Sequence, residues 1–273
     1  MDLLAIAIIL GIVEGLTEFV PVSSTGHLIV AGHLLGFVGE KAASFDVAIQ
    51  LGAILSVLVL YRSRFLALVP NREDGLVPSS ALRGWAGLWR IALASLPGLV
   101  AGYFGHRFVK AHLFTPEAVS LALAAGGIGI LLAERVISRR AARPMDEMTL
   151  AQALGIGLFQ TLALWPGVSR SGATIIGGLL LGLDRKGAAE FSFLIAVPIM
   201  LAATGFEIFQ MGSAVTAHEA TQFAVGFVVS FLVALLAIAT FLRILSRWSL
   251  APFAWYRIVA APVFYLLTPG HGL

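Results

Sequence analysis

The sequence predicts an all-α integral membrane protein: a polytopic helical bundle of about ten segments, with inverted-topology repeats and two re-entrant or broken helix pairs. Three observations carry that expectation: hydropathy, the placement of basic residues and an internal repeat. The chain of 273 residues is 59% hydrophobic and holds 18 Lys and Arg against 15 Asp and Glu. A soluble chain of this length carries about 68 such charges, at roughly a quarter of its residues. With a mean hydropathy of +0.94, apolar runs recur at the length that spans a ~30 Å hydrocarbon core, which excludes a soluble enzyme with one buried core. There is no cysteine, so disulfides, thiolate metal sites and a cysteine nucleophile are excluded together.

In chain order, apolar length and turn residues place segments near 3–20, 24–37, 43–61, 87–106, 117–134, 149–164, 171–183, 187–209, 221–243 and 252–268. The first stretch follows Met1-Asp2-Leu3 with no basic leader and ends in Glu14 and Glu18, so it is expected to be mature structure and not a signal peptide. Segments 24–37, 149–164 and 171–183 are short for a full span. The turns at Pro21–Gly26 and Pro166–Gly172 fold two of them into broken pairs. The remaining segments are long enough to cross.

Twelve of the 18 basic residues lie in three stretches: 62–90, 135–143 (with Arg140) and 243–257 (with Arg247 and Arg257). By the positive-inside rule these face the cytoplasm, a better fit for the pI near 9.6 than nucleic-acid binding. Parity then makes 3–37 enter and return on the outer face and 149–183 on the inner face. The 210–219 loop and the C-terminal Pro269-Gly270-His271 fall outside. The repeat agrees: Ser23 and Ser169, Thr25 and Ser171, Gly26 and Gly172, Phe45 and Phe191, and Ile49 and Ile195 are each 146 residues apart, and Glu14 falls on Gln160. One membrane domain, 1–273, is expected, with repeat 1 near 1–110 and repeat 2 near 149–268. Inverted repeats place the functional site where their broken segments meet.

Copy one carries Glu14 and Glu18 one helical turn apart, so both carboxylates share a face. Pro21-Val22-Ser23-Ser24-Thr25-Gly26-His27 follows, and copy two reads Pro166-Gly167-Val168-Ser169-Arg170-Ser171-Gly172-Ala173-Thr174. Helix N-termini, hydroxyls and a guanidinium suit phosphate oxygens. Together the copies supply a nucleophile and base on one side and an oxyanion clamp on the other, the requirements of phosphoryl transfer. Single Ser and Thr residues in membrane helices usually bond to a backbone carbonyl, and Arg170 could be a structural partner of Glu14 or Glu18. Two glutamates in an apolar segment without a nearby basic residue are costly unless functional. Asp46, Gln50, Glu190 and Glu207 are read as packing or supporting groups.

These stretches, with Phe45-Asp46-Val47-Ala48-Ile49-Gln50-Leu51-Gly52 and Glu190-Phe191-Ser192-Phe193, closely resemble the undecaprenyl-diphosphate phosphatase family associated with bacitracin resistance, over essentially the whole chain. The resemblance implies a multi-pass phosphatase of the bacterial inner membrane that converts undecaprenyl diphosphate to undecaprenyl phosphate, recycling the lipid carrier of cell-wall synthesis. In the expected mechanism Ser24 attacks and His27, three residues on, transfers protons. Arg170, Ser169, Ser171, Gly172 and Thr174, with Ser23, Thr25 and Gly26, hold the phosphates. Glu14 and Glu18 either orient the proton relay or bind a divalent cation, Mg²⁺ or Ca²⁺. The expected partners are the polyprenyl diphosphate, membrane lipids and a second copy of the chain, with no nucleic acid and with the site open to the periplasmic side. The alternative is an inverted-repeat transporter or flippase of a phosphate-bearing lipid or small anion, which needs neither Ser24 and His27 nor the glutamate pair.

Overall fold

The computed structural model describes residues 2–70, 80–137, 142–211 and 217–268. The expected topology markers Arg140, most of the 210–219 loop and Pro269-Gly270-His271 lie outside them. Among the described residues are eleven α-helices and no strand: α1 (Leu3–Thr17), α2 (Ser24–Leu34), α3 (Glu40–Leu60), α4 (Arg62–Ala67), α5 (Gly84–His112), α6 (Pro116–Ile137), α7 (Leu150–Thr161), α8 (Arg170–Leu180), α9 (Arg185–Met211), α10 (Ala217–Leu245) and α11 (Ala251–Leu267). Helices α3, α5, α6, α9 and α10 are each long and apolar enough to cross a membrane. The chain is a multi-pass helical membrane protein.

Helices α2 and α8, of 11 residues each, reach roughly 16 Å, about half of a hydrocarbon core. Each is preceded by a short apolar helix, α1 or α7, and a tight turn, so both are broken pairs. A capping box at Thr149 and Gln152 starts α7, satisfying two end groups reciprocally. Two features differ from the sequence reading. The 62–90 stretch carries a separate short helix, α4. Helix α5 extends to His112, because the polar residues Arg107, Lys110 and His112 continue the helix beyond its apolar centre.

Packing between the halves is reciprocal. The first leading helix, α1, lies along α10, and the second, α7, lies along α5, while α3 meets α9 and α6 meets α11. Close approach along α1 needs small residues: a Cβ on Gly11 would sit 2.8 Å from the Gly226 carbonyl oxygen, and one on Gly15 2.7 Å from that of Ser230. Phe19, Phe191, Phe193 and Ile195 are buried at the centre of this arrangement, so the first pair, α8 and α9 are held against one core. Ion pairs tie the end that carries the basic stretches. Arg64 pairs with Asp146 at 2.7 Å, and Arg185 pairs with Glu134 at 2.6 Å.

One reading is corrected. Its place in the sequence groups Arg257 with the basic stretch at 243–257, but it lies inside α11 and is fully buried. Its apolar neighbours in sequence, Ile258 to Val263, continue the helix, and its guanidinium finds its partners inside the protein.

Candidate active site

The two proline turns end in the same unusual backbone. Ser23 has φ 72° and ψ 93°, and Ser169 has φ 75° and ψ 117°. Among the described residues they are the only non-glycine residues with positive φ. Such a conformation costs about 1–3 kcal/mol and persists where surrounding contacts over-determine it. Each serine caps the helix it precedes, Ser23 Oγ accepting from the Gly26 amide at 3.4 Å and Ser169 Oγ from the Gly172 amide at 3.1 Å. The result is two helix N-termini, α2 and α8, presented in matching conformations inside the protein.

Between them lies the Glu18 carboxylate. Its Oε2 accepts from Ser24 Oγ at 2.5 Å, and its Oε1 accepts from Arg170 Nη2 at 3.1 Å. Ser24 and Glu18 are nearly buried, and the Arg170 side chain is 13% exposed. Arg170 also donates from Nη1 to the Ser192 carbonyl at 3.1 Å and lies over the Phe19 ring, while its buried Nε has no hydrogen-bond partner. Thus Glu18, Ser24 and Arg170 meet although 152 residues separate Glu18 from Arg170. The structural reading of Arg170 as a partner of Glu18 and the chemical reading describe the same contact.

The other hydroxyls of the second turn support Arg170 from behind. Ser171 donates to the Val20 carbonyl of the first turn at 3.0 Å, which leaves Ser169 to donate to Ser171 Oγ, also at 3.0 Å. Thr174 donates to the Arg170 carbonyl at 2.8 Å and accepts from Ser192 at 2.6 Å. Ser171, Thr174 and Ser192 are fully buried. Gly172 lies at the start of α8 and Gly26 at the start of α2; Thr25, beside Ser24, is half-buried.

His27 is engaged elsewhere. Its Nδ1 donates to the Ser23 carbonyl at 2.7 Å, so the neutral ring's Nε2 accepts from the Tyr256 hydroxyl at 2.5 Å. The ring stacks on Tyr256 and meets Phe264 edge-on. The hydroxyl of Ser24, which the sequence reading paired with His27, bonds instead to Glu18.

Glu14 is completely buried, and neither carboxylate oxygen has a hydrogen-bond partner. Glu18, Asp46 and Arg170 are its charged neighbours. A buried carboxylate without a partner is costly, and two orphaned oxygens are donor chemistry that suits a cation. Among the described residues, however, no three His, Asp or Glu side chains gather where they could hold one.

Sequence reasoning assigns no place in the site to Ser192, Tyr256 or Arg257. Ser192 stands at the same 146-residue offset from Asp46 as the turn serines from each other, which marks it as a repeat position. Tyr256 and Arg257 come from the last helix and carry no motif that links them to the turns.

The chain resembles known proteins over nearly its whole length. The family described as "Bacitracin resistance protein BacA" matches residues 7–263. A protein named undecaprenyl-diphosphatase from Nitratidesulfovibrio vulgaris (strain DP4) is 55% identical over 259 residues, covering 95% of this chain and 96% of the relative. The one from Maridesulfovibrio salexigens is 54% identical over 263 residues, covering 96% and 98%. That from Solidesulfovibrio magneticus is 52% identical over 260 residues, covering 95% and 96%.

Proposed function

The chain belongs to the BacA family, and from that premise we propose that it hydrolyses undecaprenyl diphosphate to undecaprenyl phosphate and inorganic phosphate. The observation that carries the chemistry is the double contact of Glu18, which holds Ser24 and Arg170 at once between two helix N-termini. A carboxylate hydrogen-bonded to a hydroxyl is placed to act as its base. A guanidinium beside two N-terminal amide clusters is placed to stabilise the charge that builds on phosphate oxygens.

The reaction runs in two displacements. Ser24 Oγ attacks the terminal phosphorus while its proton passes to Glu18. The bond from phosphorus to the bridging oxygen breaks, and undecaprenyl phosphate leaves, taking that proton. Glu18, again a carboxylate, then accepts a proton from water as the hydroxide attacks the phosphoserine, and it returns the proton to Ser24 Oγ as inorganic phosphate departs. Arg170 leaves its resting contact with Glu18 to meet the diphosphate, with its unpartnered Nε as an additional donor. His27, tied to Ser23 and Tyr256, fixes the first turn of α2.

Glu14, whose two carboxylate oxygens have no hydrogen-bond partner, would hold a divalent cation together with oxygens of the diphosphate. When bound, the cation neutralises part of the diphosphate charge.

We place the site on the outer side of the bacterial inner membrane. The support is the distribution of basic stretches, which marks the opposite end as cytoplasmic. The cysteine-free sequence allows a direct check with an impermeant thiol reagent on intact cells. Ala214→Cys should label and Arg140→Cys should not; the reverse pattern inverts the assignment. The reaction itself is tested by phosphate release from undecaprenyl diphosphate by purified protein in detergent, with and without EDTA. Release that EDTA reduces supports both the reaction and the cation, release indifferent to EDTA removes the cation, and no release removes the reaction.

A further inference from the structure

The two strained turns converge on one residue of the last helix. Arg257 is 0% exposed, and its guanidinium donates to four backbone carbonyls: Nε to Leu123 at 3.1 Å, Nη1 to Pro21 at 3.2 Å, and Nη2 to Gly167 at 2.9 Å and Ala122 at 3.4 Å. Leu123 and Ala122 belong to α6. Pro21 and Gly167 belong to the two turns, and they are equivalent positions: 146 residues separate them, as 146 separate Ser23 from Ser169. Each lies two residues before a serine held at positive φ. One arginine therefore grips matching carbonyls of both repeats.

Three further observations make this a built contact. First, Arg257 has no carboxylate partner among the described residues, so the protein keeps a buried cation neutralised only by carbonyl dipoles, an expensive arrangement compared with an apolar side chain of the same size. Second, room has been made for it: a Cβ on Gly126 would lie 2.0 Å from Nη2. Third, the neighbouring Tyr256 meets His27, so α11 fixes the start of α2 through two consecutive residues. Only a planar fork with several N–H groups reaches three chain segments at once, which a lysine ammonium on a flexible stem does not.

We propose that Arg257 is a positioning residue: by holding Pro21 and Gly167 against α6, it sets the distance and angle between Ser24 on one repeat and Arg170 on the other. It hydrogen-bonds to neither the Ser24 hydroxyl nor the Arg170 guanidinium, only to backbone carbonyls. The proposal rests on the assignment of Ser24 and Arg170 made above. Each turn retains its own serine cap without Arg257, so ground-state binding of the diphosphate is expected to survive its loss. In-line attack, which needs both turns in register, is not.

The test measures kcat and KM for undecaprenyl diphosphate, with thermal unfolding, on Arg257→Met, Arg257→Lys, Gly126→Ala and the Gly126→Ala/Arg257→Met double variant. Ser24→Ala serves as control for the underlying assignment. Displacing a reacting group by about 1 Å costs on the order of 10²-fold, so Arg257→Met should lower kcat by about that factor while KM changes less than about threefold. Lysine should restore little. Gly126→Ala keeps the arginine but pushes its guanidinium off Gly167, so it should lower kcat on its own and add nothing in the double variant. The proposal is overturned by a folded Arg257→Met or Gly126→Ala protein with wild-type kcat, by full rescue with lysine, or by additive losses in the double variant. Where Arg257→Met does not fold, Gly126→Ala and Arg257→Lys decide the matter alone. Ser24→Ala with wild-type turnover would instead remove the assignment beneath, whatever Arg257 does.

Discussion

The two proline turns share a backbone and differ in what they display. Both end in a capping serine at positive φ, and both start an 11-residue helix. After the serine, the first turn presents the short hydroxyl of Ser24 and the second presents the long guanidinium of Arg170. The leading helices differ in the same way: Glu14 in α1 stands where Gln160 stands in α7. Gln160 is a neutral amide, directed toward the Ala94 carbonyl at 3.5 Å, whereas Glu14 carries a carboxylate with no such bond. The two turns thus supply matching helix N-termini, one carrying a serine hydroxyl bonded to a carboxylate and the other the guanidinium that meets the same carboxylate. A symmetric site with two arginines would bind phosphate without attacking it. One with two serines and two glutamates would repel it.

The sharpest way to break this comparison is to remove one side at a time. Arg170→Ala and Ser24→Ala should each reduce kcat by more than about 10³-fold, beyond the loss expected for a single neutral oxyanion donor. Their kinetics should differ, with KM raised chiefly in Arg170→Ala. Arg170→Lys should recover little, because a point charge does not replace the fork; a Lys variant near the wild-type rate would show that charge alone suffices. Glu18→Gln should come next, losing about 10²–10⁴-fold as the base is removed, with folding retained. Unchanged turnover would leave Ser24 without a base in this site. Glu14→Gln sharpens the comparison by making the first repeat resemble the second. It should raise the Mg²⁺ concentration needed for half-maximal rate by at least about tenfold, the scale on which ligand-shell changes weaken metal sites. An unaltered metal titration would leave Glu14 without a metal-holding role.

The smallest effect belongs to a contact outside the comparison. Burial works against ionised Asp146, but hydrogen bonds from Arg64 and Ser80 outweigh it and hold the carboxyl below its ordinary value. The stability it contributes is therefore present above the ordinary carboxylate value and is lost as pH falls through its folded value. Since both partners are about one-third exposed, Asp146→Asn should cost no more than about 1 kcal/mol at neutral pH. The gap in unfolding temperature between variant and wild type should close in acid, with turnover unaffected throughout.

Much of this was legible in the residues because the bilayer imposes length rules on apolar segments. The ten helical segments emerge close to their observed positions, except for the separate α4 and the extension of α5 to His112, and the 146-residue offset singles out the two turns. Which side chains would face one another was not legible. The spacing from Ser24 to His27 places both on one helical face, yet local geometry sends Ser24 back to Glu18 in the preceding helix and His27 outward to Tyr256. That choice depends on how the turn at Ser23, with its positive φ, joins α1 to α2, and sequence spacing does not encode it. Arg257 was misread for a related reason. A basic residue near a loop obeys the positive-inside statistics, and only tertiary packing reveals that carbonyls from four positions converge on it.

The central claim is that Ser24 attacks phosphorus with the second turn as its clamp, and a rapid quench tests it most directly. Enzyme mixed with undecaprenyl diphosphate carrying ³²P in the terminal phosphate, then denatured within a single turnover, should retain label on the protein. The label should be acid-stable, map to the peptide containing Ser24, and be absent from Ser24→Ala. Complete phosphate release with no protein-bound label at any time within the turnover, together with a loss in Ser24→Ala of only about 10²–10³-fold, would contradict the account and assign the attack to water.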